Sequence, residues 1–151
     1  GIRDVAVTGV QTCALPICPH RGHPRLRRGP VTRVIRIALR QRGEPYLFGA
    51  QGPSVFDCSG LVWYAFSQAG EARMMGGRYR NAAGLLRWFH RHHHISHRRG
   101  RRGDLVIWGH GSHVGIYLGH GRAISALTSG VRVHRVRAFD EPVTAYLRVL
   151  R

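Results

Sequence analysis

The hydrophobic pattern changes period partway along the chain, and that change constrains the fold more than any other feature. Up to about residue 90 the apolar residues recur at helical spacing; from Leu105 onward they fall into short β-branched, aromatic and alternating runs. A helix gathers positions i, i+3 and i+4 on one side, whereas a strand gathers i and i+2, so the two patterns are not interchangeable. Val34, Ile35, Ala38 and Leu39 predict a first helix, capped by Thr32 and ending near Gly43. Leu61, Val62, Ala65 and Phe66 predict a second, opening at Asp57 or Cys58 and ending near Gly70. A third is expected from Asn81 to about His90, with 71–79 a loop before it. Strands are expected at Leu105–Trp108, His113–Leu118, Arg122–Ala126, Val131–Val136 and Thr144–Leu150, separated by Gly, His or Ser. Helices first and strands second predict an α+β fold rather than a parallel α/β sheet.

The 151 residues suffice for one domain with a core. Its start is expected near residue 31. Residues 19–30, PHRGHPRLRRGP, read as a linker. Residues 1–18, GIRDVAVTGVQTCALPIC, show no periodicity and resemble a translated adapter, so 1–30 is read as a disordered or non-native leader and linker. Cys13 and Cys18 lack the second half of a zinc site, and three cysteines do not make a simple disulfide framework. No signal peptide and no apolar run long enough for a membrane span is visible.

The net charge is +17, and all 24 basic residues are Arg. Exclusive Arg points to a GC-rich coding bias, although such a charge still attracts polyanions. No Arg lies between Arg42 and Arg73 or between Arg102 and Arg122. Those two windows contain 56-FDCSGLVWYAF-66 and 103-GDLVIWGHGSHVGIYLG-119.

A lone cysteine more often packs than reacts. Cys58, however, falls at a helix start, where exposed N–H groups favour a thiolate. Asp57 beside it opposes that, so a reactive Cys58 needs a proton-accepting partner. His113, opening a strand after Gly111 and Ser112, suits that role. His90, His92, His93, His94 and His97 lie in an Arg-rich polar stretch and read as solvated surface, without the ligand spacing of a metal site.

The segments PYLFGAQGPSVFDCSGLVWYAF, RGDLVIW and SHVGIYLG, in that order from about Val34 to Leu150, resemble the NlpC/P60 cysteine peptidases of bacterial cell walls. The sequence is similar to actinobacterial-type members and reads as a fragment. The resemblance implies a papain-like fold, with a nucleophile helix packed on an antiparallel sheet. It implies hydrolysis of an amide in peptidoglycan stem peptides, typically between D-glutamate and the diamino acid, without metal or organic cofactor. It assigns Cys58 as nucleophile, His113 as base, Tyr46 as a donor near the thiol, and Asp57 and Ser59 as holders of the stem peptide's amino end. It also implies a secreted or wall-associated protein, expected to be a monomer, with stem peptides and anionic wall polymers as partners.

The chain departs from that family at the third catalytic position, where the family often has His about a dozen residues after the base. Here the count reaches Ser125, which can orient an imidazole but adds no charge. A two-residue turn at His120-Gly121 would put His113 and Ser125 on opposite faces; a three-residue loop with a bulge would put them on one. His120, His134 and a backbone carbonyl are the other candidates for orienting the ring. Three further readings stay open: a non-catalytic wall-binding relative, a papain-like amidase or acyltransferase, and a nucleic-acid module built on 25-RLRR-28 and 98-RRGRR-102. The last lacks aromatics interleaved with the charge and any known binding motif.

Overall fold

Pro30 opens the first helix, α1 (Pro30–Arg40), in a computed structural model that describes residues 29–149. Proline suits the first helical turn because its missing N–H would be unpaired there anyway. The helix therefore starts two residues earlier than expected, with Gly29 at its cap position. Thr32 is not the cap; its hydroxyl instead accepts a hydrogen bond from Arg102. Cys13 and Cys18 and the segment up to residue 28 lie outside the described residues.

The other helices are α2 (Cys58–Gln68) and α3 (Ala82–Arg91), and the strands are β1 (Ile95–Ser96), β2 (Leu105–Trp108), β3 (His113–Gly119), β4 (Arg122–Leu127), β5 (Gly130–Arg135) and β6 (Val143–Leu147). The strands form one antiparallel sheet in the order β1-β6-β2-β3-β4-β5. The fold is thus α+β, as the change of period required. The predicted strands from Leu105 onward all form. Among the described residues three short elements were not foreseen: β1, hidden in the Arg- and His-rich stretch, a 3₁₀ turn at Ala72–Met75 that buries Met74 and Met75 inside the expected loop, and a 3₁₀ turn at Gly109–Gly111 between β2 and β3.

The main core lies between the helices and one sheet face. Val34, Ile35 and Ala38 of α1 and Leu61, Val62, Ala65 and Phe66 of α2 meet Leu105, Ile107, Val114, Ile116, Ile124, Ala126, Ala145 and Leu147. The opposite face has a smaller cluster of Val106, Trp108, Ala123 and Val136. Strand β2 is buried on both faces, which is why LVIW is apolar throughout. The Trp108 indole donates to the Val136 carbonyl at 2.9 Å, so its one polar group is satisfied.

Two features fix the frame, one polar and one steric. Asp104, 1% exposed, accepts from Arg148 Nη1 at 2.6 Å and from the Arg101 N–H at 2.7 Å, tying the turn before β2 to the residue after β6. Gly60 lets the 45–56 connection lie on α2: a Cβ there would stand 1.9 Å from the Ala50 carbonyl oxygen. Among the described residues no helix is long and apolar enough to cross a membrane.

Candidate active site

Asp57 fixes the start of α2. Its Oδ1 accepts from the Gly60 N–H at 2.5 Å and the Ser59 hydroxyl at 3.0 Å, and its Oδ2 accepts from the Gly49 N–H at 2.9 Å. An aspartate at this position satisfies N–H groups that the helix cannot. It also pins the preceding loop, which the Asp57 N–H ties to the Ala50 carbonyl at 2.8 Å. Cys58 follows as the first residue of α2, partly buried, with backbone N–H groups around its sulfur from Val114, Ser59 and its own residue. Burial pushes the thiol pKa up, the Val114 N–H pulls it down, and the Asp57 charge adds to the rise.

His113 precedes Val114 at the start of β3, opposite Trp108 in register. Its ring lies against Trp108 at 5.4 Å and Phe139 at 5.3 Å between centroids. Burial is the main cause that lowers its pKa to about 4; the neighbouring His134 adds to this and Glu141 opposes it. Thiol and imidazole therefore rest uncharged at neutral pH, and no hydrogen bond joins them. Contacts of this kind are often long without substrate and close up in the reacting complex.

The β3–β4 turn has two residues, His120 and Gly121 between paired Gly119 and Arg122, but a bulge beside it in β3 supplies the change of face that the three-residue loop was expected to give. Tyr117 pairs with Ala123 but Gly119 with Arg122, a register shift that leaves Leu118 over. Its effect is to place His113 and Ser125 on one face: His113 Nε2 lies 2.9 Å from Ser125 Oγ. Gly115 makes room, since a Cβ there would fall 3.1 Å from the Ser125 Cβ. Ser125 is fully buried and also meets His134 Nε2 at 2.8 Å. His134, one of the alternatives for orienting the ring, thus joins the cluster through Ser125. His120 stands exposed in the turn.

Cys58 lies in a groove of about 550 Å³ with Tyr46, Asp57, Ser59, Tyr79 and Arg80. His113 lines a second hollow of about 320 Å³ with Tyr46 and Phe139. Tyr46 is common to both. Its phenol pKa is raised by burial first, then by Cys58 and Asp57, which places it within their electrostatic reach. The Ser59 hydroxyl lies 3.0 Å from the Tyr79 hydroxyl as well as donating to Asp57. All six expected site residues therefore fall in one region.

Tyr79, Arg80, Phe139 and Glu141 were not singled out from sequence. Ser112 donates to Glu141 Oε2 at 2.5 Å, fixing the loop after β5 beside His113. Tyr79 and Arg80 lie between elements, where no periodicity marks them. Among the described residues no group of three or more His, Cys, Asp or Glu side chains is arranged to hold a metal ion.

The arrangement offers a thiol at a helix start, set against the strand whose first residue is a neutral imidazole, and an open groove, the parts needed for nucleophilic attack on a carbonyl. Comparison with known proteins is consistent in kind. The model of the NlpC/P60 family matches residues 43–148. Over 102 residues the chain is 38% identical to the probable endopeptidase p60 of Listeria grayi, covering 66% of this chain and 18% of that protein. The chain spans about a fifth of the length of the curated Listeria relatives it matches. The peptidoglycan hydrolase RipB of Mycobacterium tuberculosis superposes with a TM-score of 0.64 at 32% identity, over 82% of this chain and 67% of that one. RipD of the same organism, described as a non-catalytic NlpC/p60 domain protein adapted to peptidoglycan binding, superposes equally well, at 0.64 and 27% identity, over 80% of this chain and 98% of that one.

Proposed function

This chain belongs to the NlpC/P60 family, and we propose that it is a cysteine endopeptidase that hydrolyses an amide in peptidoglycan stem peptides, between D-glutamate and the diamino acid. A fold shared with a non-catalytic domain cannot carry this proposal; the side chains must. The observation that supports it is the placement of Cys58 at the start of α2 against the N–H of Val114, the residue that follows His113, whose Nε2 is held by Ser125. That leaves Nδ1 as the ring nitrogen available to the thiol.

In this reading the proton of Cys58 passes to His113 Nδ1 as the sulfur attacks the carbonyl carbon. The Cys58 N–H and the Tyr46 hydroxyl stabilise the oxyanion. The imidazolium gives its proton to the leaving amine, and a thioester remains. His113 then takes a proton from water, hydroxide displaces the sulfur, and the thiol is restored. Starting from a neutral pair, the first proton transfer accompanies attack rather than preceding it. Asp57 and Ser59, already engaged in fixing α2, present a negative end of the groove to the peptide's ammonium. Arg80, on the same groove, offers a cation to a carboxylate of the stem.

The domain comprises residues 31–151 and works outside the cytoplasm, on the wall. Incubation of the protein with a stem tetrapeptide, followed by mass spectrometry beside the Cys58→Ala variant, tests the proposal. Cleavage by the parent alone supports it, and the fragment masses identify the bond. Absence of cleavage by folded parent protein, with retained binding to peptidoglycan, points to a RipD-like role instead.

A further inference from the structure

A histidine beyond the thiol, the imidazole and Ser125 completes the hydrogen-bond chain. His134 Nδ1 lies 3.0 Å from the carbonyl oxygen of Arg135, and its Nε2 lies 2.8 Å from Ser125 Oγ. A carbonyl only accepts, so Nδ1 carries the proton. In the uncharged ring Nε2 is then bare and accepts. The proton in the 2.8 Å contact therefore belongs to the Ser125 hydroxyl. With that proton committed, Ser125 Oγ can only accept at its other contact, 2.9 Å from His113 Nε2. The proton of His113 is thereby fixed on Nε2, and the lone pair is left on Nδ1.

We infer that His134 is a positioning residue: acting through Ser125, it sets the tautomer in which His113 can accept the thiol proton. A serine alone would not do this, because a hydroxyl donates or accepts equally well. If Ser125 donated to His113 Nε2, the ring proton would move to Nδ1 and the base would be lost. Ser125 and His134 together thus supply what one side chain supplies elsewhere, a fixed acceptor for the ring N–H. The two imidazoles are also held by the same walls: Trp108 and Phe139 lie 5.7 and 4.8 Å from the His134 ring as well as flanking His113. Burial lowers the His134 pKa, which keeps its ring in the uncharged form the chain of donors requires. The inference rests on the proposed pairing of Cys58 with His113, but it needs no identified substrate to be tested.

The experiment is alkylation of the full chain by iodoacetamide near neutral pH, with the rate read from the Cys58-bearing peptide by mass spectrometry. Parent, His113→Ala, His134→Phe and His134→Gln are compared. Phenylalanine keeps the ring packing against Trp108 and Phe139 but accepts nothing; glutamine restores an acceptor through its amide oxygen. We expect His113→Ala and His134→Phe to slow Cys58 by about tenfold or more, the scale of lost base assistance. His134→Gln recovers most of that rate. On a stem tetrapeptide, His134→Phe lowers kcat while KM stays within about twofold, since the residue acts on proton transfer rather than on binding. A slow His113→Ala beside a His134→Phe that reacts at the parent rate overturns the inference alone. Parent-like reactivity in His113→Ala overturns the thiol–imidazole pairing and the inference with it. If His134→Phe does not fold, Ser125→Ala breaks the same link from the other side and must show the same loss.

Discussion

Lowering the pH should unfold this protein by way of the imidazole that its chemistry needs uncharged. His113 has a pKa of about 4 in the folded chain, against 6.5 for an ordinary histidine. Between those values the unfolded chain binds a proton that the folded chain refuses, so stability rises with pH across that window and falls as pH drops through it. Full stability from this group is present above about pH 6.5 and is lost progressively toward pH 4, below which the loss levels off. From about pH 7 to pH 5 roughly one and a half pH units of this window are crossed, at about 1.4 kcal/mol each, giving a loss of about 2 kcal/mol. Urea unfolding of the parent and of His113→Gln at the two pH values measures it. Other groups, His134 included, titrate in both proteins, so the difference between their pH dependences isolates His113. Parent stability should fall by about 2 kcal/mol more than that of the variant. Equal pH dependence in the two proteins would refute the claim that burial holds this ring neutral. The same shift gives the imidazole its use, since a base with this pKa stays unprotonated throughout the neutral range.

Gly60→Ala, a change that stabilises most helix interiors by up to about 1 kcal/mol, should here destabilise by at least about 2 kcal/mol, because the new methyl meets a backbone oxygen; thermal unfolding gives the sign directly. Asp104→Ala strands the partly buried Arg148 guanidinium and the Arg101 N–H and should cost about 2–4 kcal/mol in urea unfolding, with little of that loss recovered by adding salt. Asp57→Ala removes the acceptor for Gly49, Gly60 and Ser59 and should lower stability by about 1–3 kcal/mol while also slowing stem-peptide cleavage, a double effect that Asp57→Asn reduces for stability more than for cleavage.

Much of the fold was legible because its strands are short and clearly bounded. Gly111, Gly121 and Gly130 take positive φ angles of 106°, 69° and 100° at or near strand junctions, and each was visible as a break in an alternating run. The placement of Cys58 was legible for a local reason too, since aspartate before an apolar helical run is a cap signal. What escaped depends on residues far apart in the chain. β1 has two residues and exists only because β6 pairs with it. Tyr79 reaches the site by meeting Ser59, twenty residues away. The link between His113 and Ser125 depends on a one-residue bulge, and sequence left the two possible turns open. Thr32 was misread because capping propensity was weighed without the proline just ahead of it.

The position of β6 in the sheet has a kinetic consequence. The last strand described is not at an edge; it is inserted between β1 and β2, so Ile95 must find Leu147 and Leu105 must find the same residue from across the chain. Pairings of such long sequence separation delay folding, because the loop they close is ordered before any contact repays it. A chain still emerging from the ribosome can form α1, α2 and the β2–β5 meander, yet it keeps an open sheet edge at β2 until residues 143–147 arrive. Over that interval the nascent protein exposes unpaired backbone along the apolar strand LVIW, an open edge with which another chain can pair before the sheet closes.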